Sequence, residues 1–319
     1  LRPALYTKKK LEESPSRQDG ISWERECDLR RRVAGLIQEA GMRLELPCQA
    51  ICTAVHYFHR IFAKLSMAKI PLMLTAQTCL FLASKVEENS RRMRDILNVT
   101  YRLEHPEREP LQVTNEYWQM KEAVVRHEQL VLRVLEFNLT SRHPHHYVLH
   151  FLKDLQATEE LATLSWSLLN DSYRSTLCLQ HKPEAIACSA IYIAAEFINF
   201  QIQRDEEWWD KYSTNRLELE DVSMQILDLY DYPDSILCEG HLHGKSFEET
   251  MSAKHLYLDS KGAALPHVSP ALAASSPRPR TTPELRAMPT PPPSSKRRRT
   301  EHKETTTNSN ATAPADSKR

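Results

Sequence analysis

Three short stretches of the 319-residue chain hold side chains that could do chemistry. "FLASKVEE" (Phe81 to Glu88) breaks an apolar run with Lys85, returns to one apolar residue at Val86, and stops on Glu87 and Glu88. "HEQLV", from His127, begins like the HExxH of zinc proteases, but its fifth residue is Val131, so the second imidazole ligand is missing. His143, His145, His146 and His150 crowd one segment. Metal binding there would need converging ligands with an outer shell to orient them, and packing and solvation of a helix start is the plainer reading. The seven cysteines are scattered, none in a CxxC pair, and most sit in apolar helical patterns where a free thiol behaves as a small hydrophobe. That usage fits a reduced, intracellular protein, with no zinc module, other metal or cofactor expected.

Composition removes several function classes. There are six glycines, none between Gly41 and Gly240. A phosphate-cradling loop or dinucleotide fingerprint needs glycines for tight turns and close backbone approach, so neither fits here. No spacing supports a nucleophile–base arrangement, which leaves an enzyme in its own right as the weakest reading. Lys plus Arg and Asp plus Glu both number 42, a balance that argues against a strongly basic nucleic-acid binder. No run approaches the roughly 18 apolar residues of a membrane span, and no membrane role is expected.

The elements that must position these side chains read as helices from about Cys27 to Tyr232. Leu29, Val33, Leu36, Ile37, Ala40 and Leu44 recur on one face at helical spacing. "PCQAICTAVHYFHRIF" and "PLMLTAQTCLFLASKVEE" give a second and third helix, with Pro71 suited to a first turn whose N–H needs no partner. Asn89 or Ser90 is placed to cap a shorter fourth helix, and a long fifth runs from about Glu116 to Glu136. The pattern then restarts at "HPHHYVLHFLKDL". "IYIAAE" (Ile191 to Glu196) aligns with "LFLASK" (Leu80 to Lys85) at a spacing of 111, each in a helix apolar nearly all round. The expected fold is all-α, two tandem five-helix bundles: a lead-in over 1–26, a first bundle over 27–142 and a second over 143–237. Residues 238–319 are rich in Pro, Ser, Thr and charge, and poor in large hydrophobes. They read as a disordered tail that cannot bury enough apolar surface to offset its ordering entropy. In it "KRRR" (Lys296, Arg297, Arg298, Arg299) has the form of a nuclear localisation cluster. Ser269, Ser276, Thr282 and Thr290 each precede proline, as sites of proline-directed phosphorylation do.

"FLASKVEE" has two readings. One is a solvated helix end, where Lys85 suits the helix dipole and Glu87 and Glu88 do not. The other is a partner-binding rim of mixed charge around an apolar anchor, Val86. The second copy places Glu196, Phe197 and Ile198 where the first has Lys85, Val86 and Glu87, which points to the first bundle as the contact surface.

"FLASKVEE" followed by "HEQLVLRVLEFNL" (His127 to Leu139) resembles the cyclin box, and the duplicated five-helix bundle matches the cyclin fold. The resemblance implies a non-catalytic regulatory subunit in a heterodimer with a cyclin-dependent kinase. It assigns Lys85 and Glu128 to contacts with the kinase's regulatory helix and the loop before it, with Val86, Glu87, Glu88, Phe137 and Leu139 as the surrounding surface. "YTKKKLEESPSR" (Tyr6 to Arg17) is similar to the lead-in of cyclin T, "YFHRIF" and "HPHHYVLHFL" to cyclins T and K, and the "WWDKY" beginning at Trp208 to cyclins K, T and L, all transcription cyclins, while "RRMRDILNVTYRLEHP" is similar also to cyclins L and Q. These imply a nuclear partner of a kinase acting on the RNA polymerase II C-terminal repeat, promoting elongation in the manner of P-TEFb. The tail has neither the histidine-rich region of cyclin T nor the arginine–serine repeats of cyclin L. Two alternatives stay open: a cyclin L/Q-like role in RNA processing or other kinase signalling, and a general transcription factor resembling factor IIB. The latter contacts DNA, for which direct nucleic-acid binding is otherwise not expected here.

Overall fold

The computed structural model describes residues 5–202 and 207–231, and every regular element among them is helical. Two short helices, α1 (Lys8–Glu12) and α2 (Pro15–Gln18), precede the first bundle. That bundle comprises α3 (Trp23–Arg43), α4 (Cys48–Phe62), α5 (Leu72–Val86), α6 (Met93–Glu104) and α7 (Asn115–Val134). The second comprises α8 (Pro144–Asp154), α9 (Glu159–Ser172), the short α10 (Leu177–Gln180), α11 (Pro183–Phe197) and α12 (Arg216–Leu227). A 3₁₀ turn, Trp208–Tyr212, stands where the first bundle has α6, and another, Asp228–Asp231, follows α12. The residues named in the tail, Lys296 to Arg299, Ser269, Ser276, Thr282 and Thr290, lie outside the described residues.

The two apolar helices are the centres of their bundles. Ala185 to Ala195 of α11 are buried without a break, and α5 is buried from Thr75 to Leu80 and again from Leu82 to Ser84. α5 packs on α4, α7, α3 and α6, while α11 packs on α8, α9 and α12. Both central helices are 15 residues long, and their boundaries differ by the same 111 positions as the sequence alignment.

A chain this poor in glycine ends its helices without it. After α3, α5, α7, α8 and α11 the backbone turns left-handed at Glu45, Glu88, Glu136, Gln156 and Asn199, with φ between 51° and 56°. The next residue then donates its N–H back to a carbonyl in the last turn, as in Asn89 to Ser84 (2.8 Å), Phe137 to Leu132 (3.0 Å) and Phe200 to Ala195 (2.8 Å). This closure satisfies carbonyls that would otherwise be orphaned. It imposes on a non-glycine residue a left-handed conformation costing about 1 kcal/mol. The two acids of "FLASKVEE" therefore have a structural place: Glu87 is the last helical cap and Glu88 the left-handed residue.

The expected capping of α6 by Asn89 or Ser90 does not occur. Its N-cap is Arg92, and Asn89 instead folds back, donating its side-chain amide to the Glu87 carbonyl at 2.6 Å. The polar signal belonged to the end of α5, two residues before the next helix could begin. Pro144 and Pro183 stand at the first position of their helices, and Thr158 caps α9 through its hydroxyl. Pro71 sits one place earlier, at the N-cap of α5.

The lead-in is stitched to the first bundle through charge. Glu26 is fully buried, accepting from Arg30 at 2.6 Å, from the Ser14 hydroxyl at 2.6 Å, and from Arg17. Arg30, 2% exposed, also donates to the Phe62 carbonyl at 2.8 Å, so the pair joins α2, α3 and α4 with its donors used.

Candidate functional site

Lys85 is in the last turn of α5, where the side chain emerges from between its neighbours. Its ammonium pairs with the Glu128 carboxylate on α7 and stands 4.1 Å from the centroid of the Phe81 ring, one turn earlier on its own helix. The i, i+4 spacing puts Phe81 under Lys85, and the packing of α5 on α7 brings Glu128 across. The pair is partly open, with 39% of the lysine side chain and 15% of the glutamate side chain accessible. A pair with that exposure contributes at most about 1 kcal/mol to folding.

The other expected site residues divide by environment. Glu88 is exposed in its left-handed turn. Phe137 is 68% exposed, a large apolar side chain directly after α7. Val86 and Leu139 are half-buried and pack against the first-bundle core while showing an edge to solvent. Glu87 turns inward to α4, accepting from the Gln49 amide at 2.6 Å and the Thr53 hydroxyl at 2.7 Å.

α4 supports this surface from behind. Tyr57 donates to the Leu139 carbonyl at 2.6 Å, Arg60 to Asn138 at 2.7 Å and Leu135 at 3.3 Å, and Lys64 to Val134 at 3.0 Å. Cations and a phenol aimed at the carbonyl end of α7 satisfy its last turn and hold the segment that displays Phe137. The sequence signal for these three residues is their spacing of three and four, Tyr57 and Arg60 on α4 and Lys64 in the turn just past its end, legible only once α4 is known to lie beside the end of α7.

Thr53 also starts a buried relay. Because its hydroxyl donates to Glu87, its oxygen accepts from His143 Nε2 at 2.7 Å, leaving His143 Nδ1 to accept from the Tyr173 hydroxyl at 2.6 Å. A relay from the end of α9 through the start of α8 thus reaches the cap of α5. Burial holds His143 neutral, its pKa lowered to about 3, and does the same for His56 and His59 on α4. For His59 the bonds fix the tautomer, since Nε2 donates to the Tyr173 carbonyl at 2.8 Å and Nδ1 faces Arg30 at 3.3 Å.

The histidine cluster is split accordingly. His143 and His145 are buried, whereas His146 and His150 are exposed. His145 Nε2 lies 3.0 Å from Asn170 Oδ1. His127 of "HEQLV" is also buried, 2.9 Å from the Thr75 hydroxyl, which itself donates to the Pro71 carbonyl; the imidazole is thus the donor. Trp208 and Trp209 are buried in the second-bundle core, with Trp209 edge-on to Tyr192 at 5.9 Å.

Comparison with known proteins agrees with this architecture. Residues 4–140 match the cyclin N-terminal domain, and residues 143–227 match the cyclin-T2-like C-terminal domain. Cyclin-T1-5 of Arabidopsis thaliana is 37% identical over 234 residues, covering 71% of this chain and 40% of that protein. Cyclin-L1-1 of Oryza sativa subsp. japonica is 34% identical over 246 residues (76% and 57%), and cyclin-L1 of Homo sapiens 33% over 288 residues (86% and 55%). The chain thus spans between 40% and 57% of the length of these relatives. In fold it is similar to a chain of the yeast RNA Pol II CTD kinase CTDK-1 complex, with TM-score 0.65 and 18% identity over 85% of this chain and 86% of that one. A chain of yeast TFIIK (Kin28/Ccl1/Tfb3) is similar at TM-score 0.51 and 20% identity, over 72% of this chain and 96% of that one. Cyclins are non-catalytic regulatory subunits of protein kinases, in keeping with a surface made of contacts and supports. Two cyclin domains in tandem, the second of the T2-like type, with cyclins T and L as relatives, place this chain in the cyclin family, among its transcription-associated members.

Proposed function

We propose that the chain binds and activates a cyclin-dependent Ser/Thr kinase whose substrate is the RNA polymerase II C-terminal repeat, and that its output is transcription elongation in the nucleus. The observation that carries the reading is the Lys85–Glu128 pair, held at the open end of the central helix beside an exposed aromatic, Phe137. Such a pair holds two opposite charges ready for backbone groups of a partner. Phe137, with the edges of Val86 and Leu139, supplies apolar area around it. Glu88 completes the rim, while Glu87 serves it indirectly by fixing the helix end against Thr53. The kinase supplies ATP and the catalytic groups. The cyclin's part is to hold the kinase's regulatory helix inward, so that the kinase's own lysine–glutamate pair forms.

A cyclin L-like output in RNA processing is the second reading, favoured by relatives of that type at nearly the identity of the cyclin T relative. The factor IIB-like alternative has no such support, since both domains match cyclins. The test is recovery of the full-length chain with its bound kinase, assayed on a polymerase repeat peptide and on an unrelated Ser-Pro peptide. Preferential phosphorylation of the repeat supports the proposal, and a kinase indifferent to the repeat would overturn its substrate assignment.

A further inference from the structure

Three soft ligand atoms converge where the two bundles meet, although neither the spacing of the cysteines nor the histidine cluster announced it. Cys48 and Cys52 lie one turn apart at the start of α4, and His145 lies in the first turn of α8. Their ligand atoms all fall within 4.8 Å of one another, with Sγ to Sγ at 3.8 Å and Cys52 Sγ to His145 Nδ1 at 3.9 Å. Zinc–sulfur bonds of about 2.3 Å and zinc–nitrogen bonds of about 2.0 Å imply tetrahedral edges of about 3.8 Å and 3.5 Å; the Sγ–Sγ edge is already met, the Cys52–His145 edge needs a small closure, and Cys48 and His145, within 4.8 Å, must also draw together.

The imidazole is oriented as a ligand. Its Nε2 is engaged by Asn170 Oδ1 at 3.0 Å, which as a carbonyl accepts, so Nε2 carries the proton and Nδ1 presents a lone pair towards Cys52. A ligating histidine whose second nitrogen donates to an oxygen is the usual outer-shell arrangement of metal sites. The ring is held edge-on to Trp166 at 4.6 Å and stacked with Tyr173 at 5.9 Å. A cavity of about 230 Å³ adjoins the cluster, lined by Gln38, Cys48, Cys52, Asn170 and Arg174 among others, and has room for a water as fourth ligand.

We propose that Cys48, Cys52 and His145 form a Zn²⁺ site that ties α4 of the first cyclin box to α8 of the second. Binding displaces one proton from each thiol, and two thiolates neutralise the dication, so the buried site carries no net charge. Cys48, the first residue of α4, sits where the helix dipole favours a thiolate. The alternative is that both cysteines serve only as small buried apolar groups.

The test uses the full-length chain stripped with a chelator and titrated with Co²⁺ as the spectroscopic probe, then with Zn²⁺. One equivalent of Co²⁺ should produce the near-ultraviolet thiolate-to-cobalt band and tetrahedral visible bands, displaced stoichiometrically by Zn²⁺. Cys48→Ser should lose the charge-transfer intensity by about half and weaken binding at least tenfold, while Cys27→Ser on α3 should change neither. Alkylation of the unaltered chain gives a reading that needs no variant to fold: Zn²⁺ should protect half-buried Cys48 at least tenfold. A stripped chain that gives no charge-transfer band, or a Cys48 alkylated equally fast with and without Zn²⁺, would overturn the site.

Discussion

The ends of α5 and α11 are the same structure carrying different chemistry. Both helices run 15 residues through a bundle centre, both turn left-handed at the equivalent residue, Glu88 or Asn199, and both close with the same backbone bond. Three positions earlier the likeness stops. Lys85 is paired with Glu128 and sits over Phe81, whereas Glu196 is exposed, has no ion pair among the described residues, and has its carboxyl pushed up by partial desolvation. If the lysine were needed to end a central helix, α11 would not manage without one. The charge pair is therefore surplus to the architecture, and a surplus, partly open pair is what a contact surface requires.

The largest effect expected from this inequality is on acid stability. His56, His59 and His143 are held neutral by burial, with pKa lowered to about 3, and all three belong to α4 or the joint between the boxes. Above about pH 6.5 they are neutral folded or unfolded and exert no pH effect. Below it the unfolded chain takes up protons that the folded chain refuses, so stability falls towards pH 3. The loss is roughly 2 kcal/mol per histidine by pH 5. Hydrogen exchange from pH 7.5 to 5 should show α4 and α5 opening before α11. Equal loosening of both boxes would contradict this.

Arg30→Ala is the next largest. It leaves Glu26 buried with its main partner gone, and the expected cost is about 3–5 kcal/mol in a denaturant melt. The loss should fall on the first box and the lead-in, read as faster proteolysis before α4.

Glycine substitutions in the two matched turns probe the shared part of the comparison. Glu88→Gly should stabilise by about 1 kcal/mol, because glycine takes the left-handed conformation without strain. Asn199→Gly should gain only a few tenths of a kcal/mol, since asparagine tolerates that conformation better. If Glu88 also touches the kinase, Glu88→Gly will raise the melting temperature while lowering affinity, and Asn199→Gly will leave affinity unchanged.

The fold was legible because the signals that make it are local. Buried helices are apolar all round, prolines open α8 and α11, and the repeat offset of 111 survives to the helix boundaries. Lys85 stood out as a charge interrupting an apolar run, and its equivalent in the second copy gave the contrast. What the sequence concealed is non-local. Asn89 reads as the start of a helix because a polar residue between two helices suits either end, and only the three-dimensional turn decides it. Tyr57, Arg60 and Lys64 gain their roles from the end of α7, between 70 and 82 positions away. Cys52 and His145 are 93 positions apart and meet only across the box junction.

The central claim is most directly tested by the affinity of the full-length chain for its co-purified kinase, measured for the unaltered protein, Lys85→Ala/Glu128→Ala and Glu196→Ala. The double change should weaken binding at least tenfold, with a loss of folding stability no greater than the about 1 kcal/mol of a half-exposed ion pair, and Glu196→Ala should leave binding unchanged. Equal affinity for all three proteins would reduce the end of α5 to the same plain helix stop that ends α11.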